Sequence, residues 1–482
     1  MGKKDLQVND WFIAPDGSNK KDARELILNA ANMLIDFLTD AENSPTLPKS
    51  SDIDFAALSD FSGSSSKAAT ISNLDTVLRN SMNPANPGYI GHMDSIPGIF
   101  SIVGDLYASA INNNLLAHEM SPFLTDLERN LTGKVANLFG LGAKSGGIVL
   151  SGGTLANLQA LAIARNNKLN TDGGGFRLSK KRAVLFTSEL AHVSIEKCAM
   201  ILGLGRDSVI KVKTDKSAGM DFGDLREKIE SHKKRGDHPF CVVATAGTTT
   251  VGSIDPLRET AKIAKQFDLW FHADAIYGGA LAFSKSEKHR LDGIELADSV
   301  SFNPHKWLYV SKTASLCLFR DFELMRDHFQ INAPYMNERG SGNLGELTIQ
   351  GSKHAEILKL WLTLTGIGKD GFEFLIAKSI EAARNIEAEI GKRDFLETAV
   401  KPELNIICFR ITAGTTGNAN EDKLNEDLQN YLLKKADIFV SLPRLWDKNW
   451  LRIVLLNPYF KEANMDLLFK TIDEFYRENF GR

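Results

Sequence analysis

Residues 299–307 read SVSFNPHKW: a short apolar run, a turn at Asn303-Pro304, then His305, Lys306 and Trp307. Working back from this stretch, the chain repeats one pattern. GIVL (147–150) leads into a helical segment 155–166, AVLFT (183–187) into 193–202, SVIKVK (208–213) into 222–233, and FCVVATA (240–246) into 256–266. LWFHAD (269–274) and SVSF (299–302) follow, and SLCLF (315–319) closes the series. Short β-branched runs separated by helix-length amphipathic segments require a mostly parallel sheet covered on both faces. The centre of the chain is therefore α/β.

The flanks differ in texture. DARELILNAANMLIDFLT (22–39) sets apolar residues at helical spacing, and DFSGSSSKAAT (60–70), rich in Ser and Gly, has little to bury. Beyond about residue 372, helix 372–391 leads to LNIICFRIT (404–412), helix 420–435, DIFVSL (437–442) and WLRIVLLN (450–457). Strands spaced so widely suit a small α+β unit. The expected organisation is an N-terminal helical arm (1–84), a large α/β domain (85–372) and a small C-terminal α+β domain (373–482).

Composition narrows the function. With 482 residues, 43% of them hydrophobic and 24% charged, the chain is ordinary globular protein and not dominated by disorder. A net charge of -3 gives no field to draw it to nucleic acid or anionic lipid, so a small-molecule ligand is expected. Cys198, Cys241, Cys317 and Cys408 form no CxxC pair and no zinc spacing, and read as buried thiols of a reducing compartment. MGKKDLQVNDWF (1–12) lacks an apolar signal region, and no apolar run is long enough to span a bilayer. A cytoplasmic location and the absence of a metal site are the expectations.

Three features carry chemistry. Lys306 lies at the end of a buried strand, a place for a lysine with a partner or a covalent role; alone, it is also read as a lysine reaching solvent. Asp274 ends the apolar strand LWFHAD, where parallel sheets collect ligands and where a carboxylate needs a cation or donors; alone, it is also a turn residue. Ser151-Gly152-Gly153-Thr154 joins a strand to a helix, as a phosphate cradle does and as an ordinary capped turn does. The cradle itself carries neither GxxxxGK[ST] nor GxGxxG, so it is not that of a nucleotide site. Together the three meet one need: a phosphate anchor, a carboxylate for a cationic ring nitrogen, and a lysine able to form an imine with an aldehyde. Pyridoxal 5'-phosphate requires that set.

From about residue 84 onward the chain resembles the group II pyridoxal phosphate-dependent amino acid decarboxylases, the family of glutamate, aromatic L-amino acid, cysteine sulfinate and diaminobutyrate decarboxylases. The matching segments are NPGYIGHMDS (86–95), SPFLTDLE (121–128), LSGGTLAN (150–157), SELAHVSIEKCA (188–199), VVATAGTTTVGSIDP (242–256), HADAIYGG (272–279), ADSVSFNPHKW (297–307) and LRIVLLNP (451–458). The resemblance implies a fold type I enzyme with a seven-stranded sheet, working as a homodimer with active sites at the subunit interface. It makes Lys306 the Schiff-base lysine and Asp274 the partner of the pyridine nitrogen. Gly152, Gly153, Thr154, Asn303 and His305 match the phosphate-holding positions, His192 the histidine stacked on the ring, and Thr249 a neighbour of it. Ile276 stands where the family usually has Ala. Tyr335, in FQINAPYMNERGSGNLG (329–345), falls where decarboxylases of the family carry the tyrosine that protonates the substrate carbon. Catalytic roles are thus implied for Lys306, His192, Tyr335 and Asp274.

The resemblance also implies a substrate pocket. Tyr89, His92 and Ser95 replace the aromatic cluster of the aromatic amino acid decarboxylases, and Lys353 lies near an arginine of several glutamate decarboxylases. These residues suit aspartate, glutamate or cysteine sulfinate better than an indole or phenol. The alternatives are an aromatic or diamino acid decarboxylase, an aldehyde-forming oxidative deaminase, a carbon–carbon lyase, or a cofactor-binding protein without turnover. The natural amino acid, its pathway and any regulation are not written in the sequence.

Overall fold

The computed structural model describes residues 8–48, 53–63, 66–171, 173–178, 181–331, 342–412 and 418–481. Contacts between these residues form two compact units: residues 1–90, 431–439 and 459–482 in the first, and 91–430 with 440–458 in the second. This grouping cuts across the arm, large domain and small domain expected from the sequence. The C-terminal stretch contributes to both units because its strands and its last helix pack in different places.

The second unit is built on a seven-stranded sheet of β1 (Gly146–Leu150), β2 (Ala183–Ser188), β3 (Val209–Val212), β4 (His238–Thr245), β5 (Trp270–Asp274), β6 (Ser299–Phe302) and β7 (Ser315–Phe319). Their order is β1-β7-β6-β5-β4-β2-β3. Strands β3, β2, β4, β5 and β6 run parallel, while β7 is antiparallel to both β6 and β1. The expected mostly parallel sheet is present. Strands β1, β2, β5, β6 and β7 are buried along their whole length, which is why they read as unbroken apolar runs. Each fully buried Phe, Leu or Val contributes roughly 1.5–3 kcal/mol, and Trp270, Phe271, Phe302 and Phe319 are all at 2% exposure or less.

Helices Gly153–Leu169, Ser194–Ile201, Phe222–Lys234 and Leu257–Phe267 fill the crossovers, as the periodicity predicts. The predicted helix 372–391 is the second half of a longer one, Glu356–Ile390, which bends where Gly368 takes φ 69°. A three-stranded antiparallel sheet pairs β8 (Leu396–Thr398) with β9 (Ile406–Ile411). The hairpin of β10 (Arg444–Leu445) and β11 (Lys448–Asn449) precedes β12 (Leu451–Val454), which pairs with β9. DIFVSL is not a full strand; it makes single bridges, Tyr89 to Phe439 in the first unit and Ser441 to Arg452 in the second.

The first unit holds helices Lys20–Thr39, Phe55–Leu58, Lys67–Arg79 and Glu462–Phe480. Asp54 and Ser66 cap the second and third, accepting from Ala57 N–H and Ala69 N–H. Thr46 donates its N–H and its hydroxyl to the Asp437 carboxylate, tying the two chain segments of this unit together. Among the described residues, no helix is long and apolar enough to cross a membrane.

Candidate active site

The carboxyl ends of β1, β5 and β6 converge in the second unit and carry Ser151, Asp274 and Asn303. After Asn303, Pro304 starts a single helical turn, Pro304–Trp307, that sets Lys306 just beyond β6. Burial lowers the Lys306 ammonium from 10.5 to about 8, although Asp274 and Asp94 pull it back toward the charged form. Its Nζ lies 3.4 Å from Met93 Sδ and 5.8 Å from the centre of the Tyr277 ring. Tyr277 in turn stacks on Trp307 at 5.3 Å and donates its hydroxyl to Asn405 Oδ1. Among the described residues it makes no salt bridge; packing holds it, and burial eases its neutralisation.

Asp274 accepts from Asn157 Nδ2 at 2.9 Å and from the Ile276 N–H at 3.2 Å. Asn157, on the helix after β1, is wholly buried and makes four hydrogen bonds. It donates to Asp274 and to Ser194 Oγ, and accepts from Ser301 Oγ at 2.6 Å and from His272 Nε2 at 3.1 Å. Burial pushes His272 down to about 4, so this ring is neutral. Ser194 closes the chain on His192, whose Nδ1 accepts from the Ser194 N–H and hydroxyl. Burial lowers the His192 ring below its ordinary value, with Asp274 opposing and Lys306 reinforcing the shift.

The glycine turn has the shape of an anion cradle. Gly152 takes φ 132°, open to glycine alone, and starts helix Gly153–Leu169. A Cβ on Gly153 would collide with Ile276 Cδ1 and stand 3.0 Å from Asn303 Nδ2. The unusual Ile276 therefore packs against the hydrogen of Gly153. Asn303 accepts from Ser315 Oγ at 2.5 Å and donates to His305 Nε2. Burial takes His305 to about 4, and its Nδ1 contacts Ala314 O. Thr154 is exposed in the first turn of the helix, and Gln350 secures the preceding residue, accepting from Ser151 N–H and donating to its hydroxyl.

The remaining residues separate. Thr249 accepts through its carbonyl from Arg452 Nη1, and Arg452 also donates to Gly91 O, His92 Nδ1 and Ser441 Oγ. Burial and the Arg452 charge lower His92. Ser95 is half-buried. Lys353 is buried and ion-paired with Glu128, whose carboxylate also accepts from the Val149 N–H. Tyr89 belongs to the first unit, stacked on Phe439 at 5.3 Å with its hydroxyl 3.1 Å from Met82 Sδ. Tyr335 lies outside the described residues. Asn157, Ser194, His272, Ser301, Gln350 and Arg452 escaped the sequence reading. Their signals were polar letters inside apolar runs: Asn157 within TLANLQAL, Ser299 and Ser301 on one face of β6, and Arg452 inside WLRIVLL.

Residues 64–412 match the pyridoxal-dependent decarboxylase conserved domain. Aspartate 1-decarboxylase of Aliivibrio fischeri is 35% identical over 431 residues, spanning 80% of this chain and 78% of that protein. Mouse CSAD in its apo form matches with a TM-score of 0.89 at 26% identity, over 95% of this chain and 99% of that one. Oryza sativa TDC, solved with PLP and tryptamine, shares the fold at a TM-score of 0.90 and 24% identity, over 97% and 100% of the two chains.

The residues fit pyridoxal phosphate. The turn at Gly152 leaves open space beside a φ of 132° that only glycine takes readily, a helix N-terminus follows it, and a buried carboxylate and a neutralisable lysine stand at neighbouring strand ends. With its fold type I architecture, the chain belongs to the pyridoxal-dependent decarboxylase family and is a pyridoxal phosphate-dependent amino acid decarboxylase.

Proposed function

We propose that the chain removes the α-carboxylate of an acidic L-amino acid, aspartate foremost, releasing carbon dioxide and the corresponding amine. The observation that carries the substrate class is Arg452. Its buried guanidinium reaches His92 Nδ1 and lowers the proton affinity of His92 after burial, and it acts in the same sense on Lys306 against the larger pull of Asp274 and Asp94, so it brings one fixed positive charge to this region. A second carboxylate on the substrate would be stabilised there, and a cationic side chain repelled. The aspartate 1-decarboxylase likeness supports the same class.

In this reading the cofactor supplies an electron sink for the electrons left when carbon dioxide departs. Lys306 would hold the cofactor through its aldehyde, and burial, which lowers its ammonium to about 8, makes its nitrogen readily available as a nucleophile. Asp274 keeps a proton on the ring nitrogen, while Gly152, Gly153, Thr154, Asn303 and His305 hold the phosphate. His192, with Thr249 and Ile276, would border the ring, and His192 carries its proton at Nε2. Tyr335 joins the proposal by resemblance, as the acid that protonates the α-carbon. His92 and Ser95 border the Arg452 region, and the side-chain roles of Tyr89 and Lys353 stand on resemblance.

A homodimer belongs to the same proposal. Helix Ile99–Ile111 leaves Ile99, Phe100, Val103, Leu106 and Tyr107 exposed, and helix Lys20–Thr39 leaves Ile27, Leu28 and Ile35 exposed, apolar faces that a second copy would cover. Four free, buried cysteines suit the reducing cytoplasm.

The test is carbon dioxide and amine release from a panel of L-amino acids by cofactor-loaded protein, with Arg452→Met alongside. Aspartate or another acidic amino acid should lead the panel, and Arg452→Met should raise its KM at least tenfold. Preference for an aromatic or basic amino acid would overturn the substrate class.

A further inference from the structure

The hydrogen bonds around Asn157 have a single polarity. The Trp270 indole N–H can only donate, and it donates to Ser299 Oγ at 2.8 Å. The Ser299 hydroxyl lies 2.9 Å from His272 Nδ1, and His272 Nε2 lies 3.1 Å from Asn157 Oδ1. Ser301 gives its hydroxyl proton to the same oxygen. The Asn157 amide nitrogen therefore points the other way, with one hydrogen to Asp274 and one to Ser194 Oγ. At the far end the Ser194 backbone N–H, again only a donor, points at His192 Nδ1 from 3.2 Å, and the Ser194 hydroxyl reaches the same atom at 2.8 Å. His192 Nδ1 is thus an acceptor, and its proton is on Nε2.

Resting on the reading of Lys306, Asp274 and His192 as the catalytic centre, we infer that Asn157 and Ser194 are positioning residues that hold His192 as the Nε2–H tautomer and link it to the Asp274 carboxylate. The physical reason is donor geometry. Protonating His192 at Nδ1 would place an N–H against the Ser194 backbone N–H, which can only donate, and would force the Ser194 hydroxyl to turn its proton away, so the network opposes the charged ring. The same amide that orients Ser194 fixes one oxygen of Asp274, leaving the rest of that carboxylate to its other partners. The charged groups facing His192 are Asp274 on β5, Lys306 beyond β6 and Lys197 on helix Ser194–Ile201. None of them lies on the Asn157 helix, so the network acts through hydrogen bonds and not through charge of its own.

The experiment reads the ring directly. In holoprotein labelled with ¹⁵N-histidine, the His192 resonances are assigned with His192→Asn and followed across pH. The neutral ring should carry its proton on Nε2. In Ser194→Ala the loss of one donor to Nδ1 should raise the pH of half-protonation by about one unit, a tenfold change in proton affinity. Ser194→Thr, which keeps the hydroxyl, should restore the parent value; a residue needed only for packing would not distinguish the pair. A proton on Nδ1 in the parent protein, or identical titrations of parent and Ser194→Ala, would overturn the inference. The parent tautomer needs no variant, so a Ser194→Ala protein that fails to fold leaves the test decisive. Since the readout requires no turnover, it is independent of whether carbon dioxide is released.

Discussion

Two lysines of the second unit, Lys353 and Lys306, are held in opposite ways. Lys353, beside β1, is paired with Glu128, and Glu128 is fixed by the Val149 N–H. Lys306, beyond β6, touches a thioether and faces an aromatic ring, with its countercharges Asp274 and Asp94 acting from a distance. Burial lowers the proton affinity of both. A contact carboxylate commits an ammonium to its charge, whereas packing alone leaves a lysine free to lose its proton and act as a nucleophile. In the proposed reading the comparison separates a lysine held by its ion pair from one left able to perform chemistry.

Breaking the paired lysine should have the larger effect on stability. Lys353→Met leaves Glu128 buried against Val149 without its cation, which should cost about 3–5 kcal/mol. The unfolding midpoint in urea measures it, and Lys353→Met with Glu128→Gln should recover much of the loss, because Gln still accepts from Val149. If Lys353 contacts an acidic substrate instead, the single variant will show its main change in KM at near-parental stability.

Removing the unpaired lysine should do the reverse. In cofactor-free protein Lys306 titrates at about 8 against 10.5 when unperturbed. Between those values the unfolded chain binds more protons, so the parent gains stability as pH rises through that window. At pH 7 and below it bears the whole cost of the buried charge, about 3 kcal/mol for a gap of this size. Lys306→Met should therefore be more stable than the parent by up to that amount at pH 7, with the difference fading toward pH 10.5. Urea unfolding of both proteins at several pH values measures it, and a constant difference across pH would contradict the burial argument.

How far the sequence could be read follows the same division. The strands were legible because burial on both faces leaves only apolar letters, and Lys306 and Asp274 because each breaks such a run at a strand end. The α/β centre and the crossover helices follow from that period alone. Asn157, Ser194 and Arg452 were not legible, since their meaning lies in partners 37, 117 or 203 positions away. Helix 372–391 was legible because the non-helical Gly368 separates it from the helical stretch that begins at Glu356. The ion pair of Lys353 with Glu128 was not legible, because spacing along a chain carries no sign of a buried glutamate lying opposite.

The smallest effect concerns Ile276 and Gly153, where the chain departs from its family. Taken from the sequence, Ile276 is a bulky residue in a place meant for a small one; in the fold it packs against a glycine, so the two positions share one volume. That sharing predicts non-additivity. Gly153→Ala alone forces its Cβ into Ile276 Cδ1 and should weaken cofactor binding by about 1 kcal/mol, roughly fivefold in Kd. Ile276→Ala alone should open a partly exposed gap of similar cost, and the double variant should bind better than the sum of the two losses requires. Fluorescence titration of cofactor into the four proteins measures the cycle. Additive losses would mean that Ile276 acts on the ring face independently of the glycine turn, and the departure from the family would then lie in cofactor tilt and not in packing.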